Sequence, residues 1–403
     1  NKWDYNSATN TLILKNGFKI KTAASSIVLP DEATVVVEGN AEVVSLGSGA
    51  GAVYAFGDID VELSENAKLY LEGYNGIYTP SGTISVTGAD GAKLKTSALQ
   101  TGIRVASYYE DEEDIVEKDN AIVIKNVDLE MTGYEGIATV LGSVTIENCK
   151  VVADTEEECI LVDYMSDEPD EKINITIKNS TLDLSSGEEV IQSYIGDVVL
   201  ESCKTELYTD DEEGIYSYDD IIISGGSLEI DSAENCLESD CGKIELKNVT
   251  YNLFFNNPNG EYDIIAGYDV SLSGVFAVYD ADMKLLYQGN MTDEIKEMFD
   301  EKGSFGFYDE NGEFIYPVRV KSVIIPSGPS GNNDAATGGD VVVTPSGDVV
   351  ITPDGDDTAT DSDTTDSTTP DNEDTNPDMG VKPAFSVLLL AVSTAFIASK
   401  KKK

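Results

Sequence analysis

Four glutamates, Glu135, Glu158, Glu189 and Glu213, each stand immediately before a short apolar phrase: Gly136-Ile137, Cys159-Ile160, Val190-Ile191 and Gly214-Ile215. If these phrases stack in successive coils of one solenoid, the carboxylates recur every ~4.8 Å, the spacing of hydrogen-bonded strands. Like charges that close repel, so such a row either recruits a cation or holds its protons to higher pH. Clusters of hard oxygen ligands favour calcium. Asp154, Glu156, Glu157, Asp210, Asp211 and Glu212 lie nearby in sequence and are candidates to complete a shell. The plain alternative is a set of solvated acidic loops, and no EF-hand spacing is present to decide between them.

A second set sits one residue past the isoleucine of each phrase: Tyr78, Arg104, Gln192, Tyr216 and Glu238, with Tyr194 and Tyr218 two positions further on. Side chains alternate across a strand, so this set is expected to point outward on one sheet. Exposed tyrosine offers an apolar ring face for stacking on a sugar and a hydroxyl for hydrogen bonding. Ordinary cross-strand tyrosine on a β surface is the alternative.

Composition removes several chemistries. The 403 residues contain no histidine, which excludes Ser-His-Asp and Cys-His nucleophiles, imidazole bases and His-containing zinc sites. Seventy-five acidic residues against 26 basic ones give a net charge of −49, the wrong sign for a nucleic-acid partner. A base that abstracts a proton would have to stand on the sheet of this second set, and Arg104 is the arginine that falls there. Hydrolysis by two carboxylates would need a geometry that sequence does not supply. The expectation is a protein that is not an enzyme.

The elements that would position these residues are legible as a repeat. Gly-Ile-like pairs start at Gly76, Gly102, Gly136, Cys159, Val190, Gly214 and Cys236. Apart from two acidic insertions, 108–119 and 163–172, the unit is about 22–26 residues, the size of one solenoid coil. Each unit has an alternating strand, a corner at Asn126, Asn148, Asn179, Ser202, Gly225 or Asn248, and a second alternating strand. Asn and Gly tolerate the left-handed backbone of a sharp corner, and stacked Asn amides can bond along the axis. The spacing predicts an all-β parallel β-helix with three strands per coil, right-handed by the crossover rule.

Residues 1–255 are assigned to this helix and 256–325, where the period breaks, to a small C-terminal cap. The cap has strand-like runs at Val270–Val278 and Phe305–Tyr308 and a helix from Thr292, its N-cap, to Lys302. Residues 326–380 hold 13 acidic residues and no basic one among Gly, Pro, Ser and Thr, and read as a disordered stalk in which Val341-Val342 and Val349-Val350 echo one another as a nascent strand pair. In 381–403, an uncharged stretch from Pro383 to Ser399 precedes four lysines, which predicts a transmembrane helix or sorting segment anchoring an exported body. A chain opening at Asn1 without a signal peptide reads as a trimmed product. The five cysteines are expected to be inward-facing free thiols. Cys149 and Cys203 fall two coils apart, beyond disulfide reach, and a Cys236–Cys241 bridge is the alternative.

The phrase from Trp3 to Leu14, Trp-Asp-Tyr-Asn-Ser-Ala-Thr-Asn-Thr-Leu-Ile-Leu, resembles the opening strand of clostridial, Gram-positive surface proteins with a carbohydrate-binding, pectate-lyase-like β-helix. Asn376-Pro377-Asp378-Met379-Gly380 with the tail behind it resembles a cell-wall sorting signal, with Met379 where that family has Thr. The resemblance implies a right-handed helix, a polysaccharide ligand and often bound calcium. The functional expectation is a surface-anchored, non-catalytic polysaccharide-binding protein, calcium-assisted. An adhesin or rigid spacer for a protein partner, and a polysaccharide lyase, are the alternatives. Oligomeric state stays open.

Overall fold

Alternation at period two sorts the short strands into inward and outward rows, and the inward rows stack. On the first face Leu12, Val35, Val61, Val86, Ile124 and Ile146 lie in register, and Ile177, Leu200, Ile223, Leu246 and Leu272 continue the column. Branched aliphatic side chains placed one above another pack densely, while the strands satisfy each other's backbone groups between coils. A computed structural model describes residues 1–47, 49, 51–106, 120–164, 173–256, 263–299, 305–308, 311–312 and 314–324, with the backbone of 341–343 and 349–351.

Three parallel faces wrap this core. The first runs from Thr11–Lys15 to Asp269–Leu272, the second from Phe18–Thr22 to Thr250–Phe255, and the third from Ile27–Leu29 to Ile265–Ala266. The third face alone has ten strands. The chain is thus an all-β parallel solenoid of the right-handed type, about ten coils long. Parallel pairing continues past residue 255, because Lys243–Lys247 still pairs in parallel with Asp269–Leu272. The Gly-Ile phrases all land in one column: Ile77, Ile103, Ile137, Ile160, Ile191, Ile215 and Leu237. Glycine precedes the isoleucine where the coils close up; a Cβ on Gly136 would stand 2.4 Å from the Cys159 carbonyl oxygen.

The predicted corners carry the left-handed backbone, with φ between 49° and 67° at Asn126, Asn148, Asn179, Ser202, Gly225 and Asn248. Asn148 Nδ2 donates to Asn126 Oδ1 at 3.2 Å, one rung of an amide stack on the corner. Replacing Asn148 by Ala is therefore expected to cost about 1–2 kcal/mol, since alanine pays the left-handed penalty and loses the rung. Asn148→Gly loses only the rung and should cost clearly less. Urea midpoints of the two variants check this, and equal costs would remove the backbone argument.

At the start, Trp3–Asn6 folds back antiparallel on Thr11–Lys15. Beyond Leu272 the pattern changes. The run expected at 270–278 is interrupted at Gly274 (φ 81°), and Val275–Tyr279 pairs antiparallel with Leu285–Asn290 and Arg319–Ser322. Arg319–Ser322 also pairs antiparallel with Thr250–Phe255, beside buried Phe276 and Val318. A helix spans Asp293–Phe299, and Ile295 N donates to Thr292 Oγ1 at 3.2 Å, the predicted N-cap. Its expected continuation to Lys302 lies outside the described residues. Phe307–Tyr308 forms a small hairpin with Phe314–Ile315.

All five cysteines are free; Cys149, Cys159, Cys203 and Cys236 are buried as expected, but Cys241 is exposed and does not bridge to Cys236. The chain divides into two units, 1–330 and 331–403. In the second, Val341–Val343 pairs antiparallel with Val349–Ile351. The rest of the expected stalk, the anchor 381–403 and most of both acidic insertions lie outside the described residues. Among the described residues no helix is long and apolar enough to cross a membrane.

Candidate cation and ligand site on the third face

The four glutamates sit where each coil turns from the second face into the third. Backbone bonds tie the turns together: Gly136 N donates to the Glu158 carbonyl oxygen at 3.0 Å, and Val190 N to that of Glu213 at 3.1 Å. The side chains are not solvated. Glu135, Glu158, Glu189 and Glu213 are only 6–9% exposed, which overturns the picture of open acidic loops. The row continues in polar residues at both ends, with Asn75 and Thr101 before it and Asn235 and Asp263 after it, all buried.

Each glutamate reaches different company. Glu135 turns to the preceding coil, where Arg104 donates to its Oε2 at 2.7 Å and the Thr101 hydroxyl donates to the same oxygen. Glu189 accepts from the Gln192 amide. Glu158 keeps a buried Oε2 with no hydrogen-bond partner, and the Oε1 of Gln192 is likewise unpaired. A buried acceptor without a donor costs about 1–3 kcal/mol.

Three overlapping groups of carboxylate oxygens follow the row: Glu135, Glu157 and Glu158; Glu158, Glu188 and Glu189; Glu189, Glu212 and Glu213. Within each group the oxygens lie within 4.8 Å of one another. Three carboxylates offer up to six oxygens, the donor type and number that calcium takes. Glu158, which carries the unpaired oxygen, belongs to two of the groups, so the donor type there is the one that would hold a divalent cation. Among the companions expected from sequence, Glu157 and Glu212 take part, whereas Asp154, Glu156, Asp210 and Asp211 belong to none of the three groups. Glu188 was missed, although the doublets Glu157-Glu158, Glu188-Glu189 and Glu212-Glu213 in successive coils carried the signal.

The electrostatics match this crowding. Burial, with Glu135, Glu157 and Glu188 alongside, pushes the Glu158 carboxyl up to about 7. Glu189 is raised by burial and by its contact with Glu212, and Glu213 by burial and by Glu238. Without a bound cation this crowding favours the protonated form of Glu189 and Glu213 at neutral pH and leaves Glu158 about evenly divided.

The outward row is present in register, with Tyr78 beside Arg104 and Gln192 beside Tyr216 and then Glu238. It is not the exposed row expected. Arg104, Gln192 and Glu238 are buried, because they lean back onto the glutamate row. Tyr78 packs on Tyr54 at 5.6 Å and donates its hydroxyl to the Ala106 carbonyl oxygen at 2.8 Å, well along the stack from the other tyrosines. The structure instead gathers Tyr164, Tyr194 and Tyr216 into a strip with successive ring centres 5.8 Å apart. Tyr164 and Tyr194 are 49% and 36% exposed, and Tyr216 donates to Asp240 at 2.8 Å. Burial and then the charges of Glu189 and Glu158 raise the Tyr194 hydroxyl to about 12. Tyr218 is half-buried and outside the strip. No protein-family model, curated protein or solved structure matches the chain.

Proposed function

We propose that the protein is a non-catalytic polysaccharide receptor that grips its glycan on the third face, through a divalent cation in the glutamate row and the tyrosine strip beside it. The observation that carries this reading is the buried, unpaired Glu158 oxygen in a cluster of carboxylates flanked by half-exposed rings. A cation seated there would lower the repulsion within the row and take sugar hydroxyls in its remaining positions. Tyr164 and Tyr194 offer ring faces to the same chain. Arg104, the basic residue a lyase reading needs, has its guanidinium engaged by Glu135 and Thr101, which supports binding without catalysis. In the same reading the antiparallel segment after Leu272 caps the stack. The acidic stalk and the apolar, lysine-ended tail present the body at a bacterial surface, as the resemblance of its opening phrase implies.

The test is retention of the full chain by a panel of polysaccharides in native gels, with calcium or with chelator. Calcium-dependent retention is expected, and Tyr194→Ala should weaken it roughly five- to tenfold. Retention of no glycan, together with no calcium uptake by calorimetry, would sink the receptor reading and leave the adhesin or spacer in front.

A further inference from the structure

The outward surface of the second face holds a groove of about 740 Å³ that crosses six coils. Two side-chain rows line it. One reads Asn40, Lys68, Lys93, Asp128 and Lys150 in successive coils. The other reads Lys19, Glu42, Tyr70, Lys95 and Glu130.

The charge here is of the wrong sign for this protein. Acids outnumber bases 75 to 26 in the chain, yet five lysines face three carboxylates in the groove. Lys93 pairs with Asp128 at 2.9 Å, while Lys95 is taken by Glu130 and Lys19 by Glu42. Lys68 and Lys150 have no carboxylate partner among the described residues, and Lys68 stands directly beside Lys93 in register. Lysines on adjacent strands, whose backbones lie ~4.8 Å apart, repel, and a fold with so many acids had every means to neutralise them.

We infer that this groove is a second binding site, for a linear glycan bearing carboxylate or sulfate groups. The chemistry of the lining selects among polyanions. Free lysines answer anionic groups spaced along a chain, and the interleaved Glu42, Asp128, Glu130, Asn40 and Tyr70 answer its hydroxyls. Duplex nucleic acid, with one charge per ~1.7 Å, would be repelled by the same three carboxylates. An acidic peptide would find no free strand edge, because the backbone groups of this face are already paired between coils. The overall negative charge does not forbid binding, since at physiological salt a charge is felt over only ~8 Å.

The site shares no residue with the glutamate row, so the two can fail separately. Calorimetry on the full chain in excess chelator, where the third face carries no divalent cation, would use polygalacturonate, chondroitin sulfate and a neutral β-glucan, with polyglutamate and single-stranded DNA as other polyanions. Binding of one or both anionic glycans, weakened by salt, is expected, and the stronger of the two identifies the anionic group. Lys68→Gln/Lys150→Gln should weaken it roughly three- to tenfold, while Lys178→Gln, a surface lysine outside the groove, leaves it unchanged. The lysines are exposed, so an unaltered circular dichroism spectrum will verify that the double variant is folded. The inference is overturned by any of four results: no binding in chelator, an unaffected double variant, equal binding of the β-glucan, or equal binding of polyglutamate or DNA.

Discussion

Replacing Arg104 by Met is expected to destabilise the solenoid by about 3–5 kcal/mol, the usual cost of stripping one partner from a buried ion pair. The two side chains are 9% and 8% exposed and meet at 2.7 Å. Removing the guanidinium leaves Glu135 buried beside Glu157 and Glu158, with only the Thr101 hydroxyl from the earlier contacts to hold it. Lys178 and Glu201 form a useful control at 3.0 Å, because both are about 40% exposed and such surface pairs are worth at most ~1 kcal/mol. Lys178→Met should therefore barely move the denaturation midpoint. The double variant Arg104→Met/Glu135→Leu should recover most of the loss, since it removes the stranded charge as well. Calcium should rescue the single variant in part, through the carboxylate that has been freed. A single variant no less stable than the Lys178 control would mean that the pair is not buried as described.

The second large effect is a dependence of stability on pH that divalent cations abolish. A carboxyl whose pKa in the fold lies above its ordinary value near 4.5 binds its proton more tightly folded than unfolded. Its penalty is absent below the unfolded pKa and grows as pH rises toward the folded one. Glu158, raised to about 7, with Glu189 and Glu213 raised by burial and neighbouring acids, puts this loss between about pH 4.5 and the mildly alkaline range. One group crossing one pH unit contributes ~1.4 kcal/mol, so together they should remove several kcal/mol over that interval. The chain has no histidine, so no imidazole titration obscures the middle of the window. Urea midpoints from pH 5 to 9 in chelator should fall with pH, and saturating calcium should flatten the curve. A midpoint that rises with pH in chelator would show that the row is ionised and otherwise compensated.

Much of this molecule was legible in its sequence because solenoid order is local. The Gly-Ile column and the Asn corners follow from period-two alternation and from which residues tolerate positive φ, and both depend on neighbours a few positions away. The glutamate row was legible for the same reason, since recognising the coil places Glu135, Glu158, Glu189 and Glu213 in consecutive turns. The sequence did not reveal that they are buried. Burial depends on how closely the turns between the second and third faces pack, and on Arg104 reaching across to the next coil. Glu188 was overlooked because its neighbour already filled the row, although the repeated Glu-Glu doublet marked it.

Alternation correctly placed Tyr78, Arg104, Gln192 and Tyr216 in one outward row, yet facing outward did not make them exposed. Arg104 and Gln192 turn toward carboxylates, and the exposed aromatic surface arises where Tyr164 and Tyr194 from other strand positions converge on Tyr216. The lysine groove escaped notice for a related reason. Lys68, Lys93 and Lys150 are separated by 25 and 57 residues and lie among acids in the linear chain. By itself, then, the sequence determined the repeat, the strands, the corners and the candidate ladder, because each depends on short-range periodicity. The tertiary structure decided which charges are paired, which oxygen is stranded and where the positive groove lies, because desolvation and Coulomb energy depend on distances between coils.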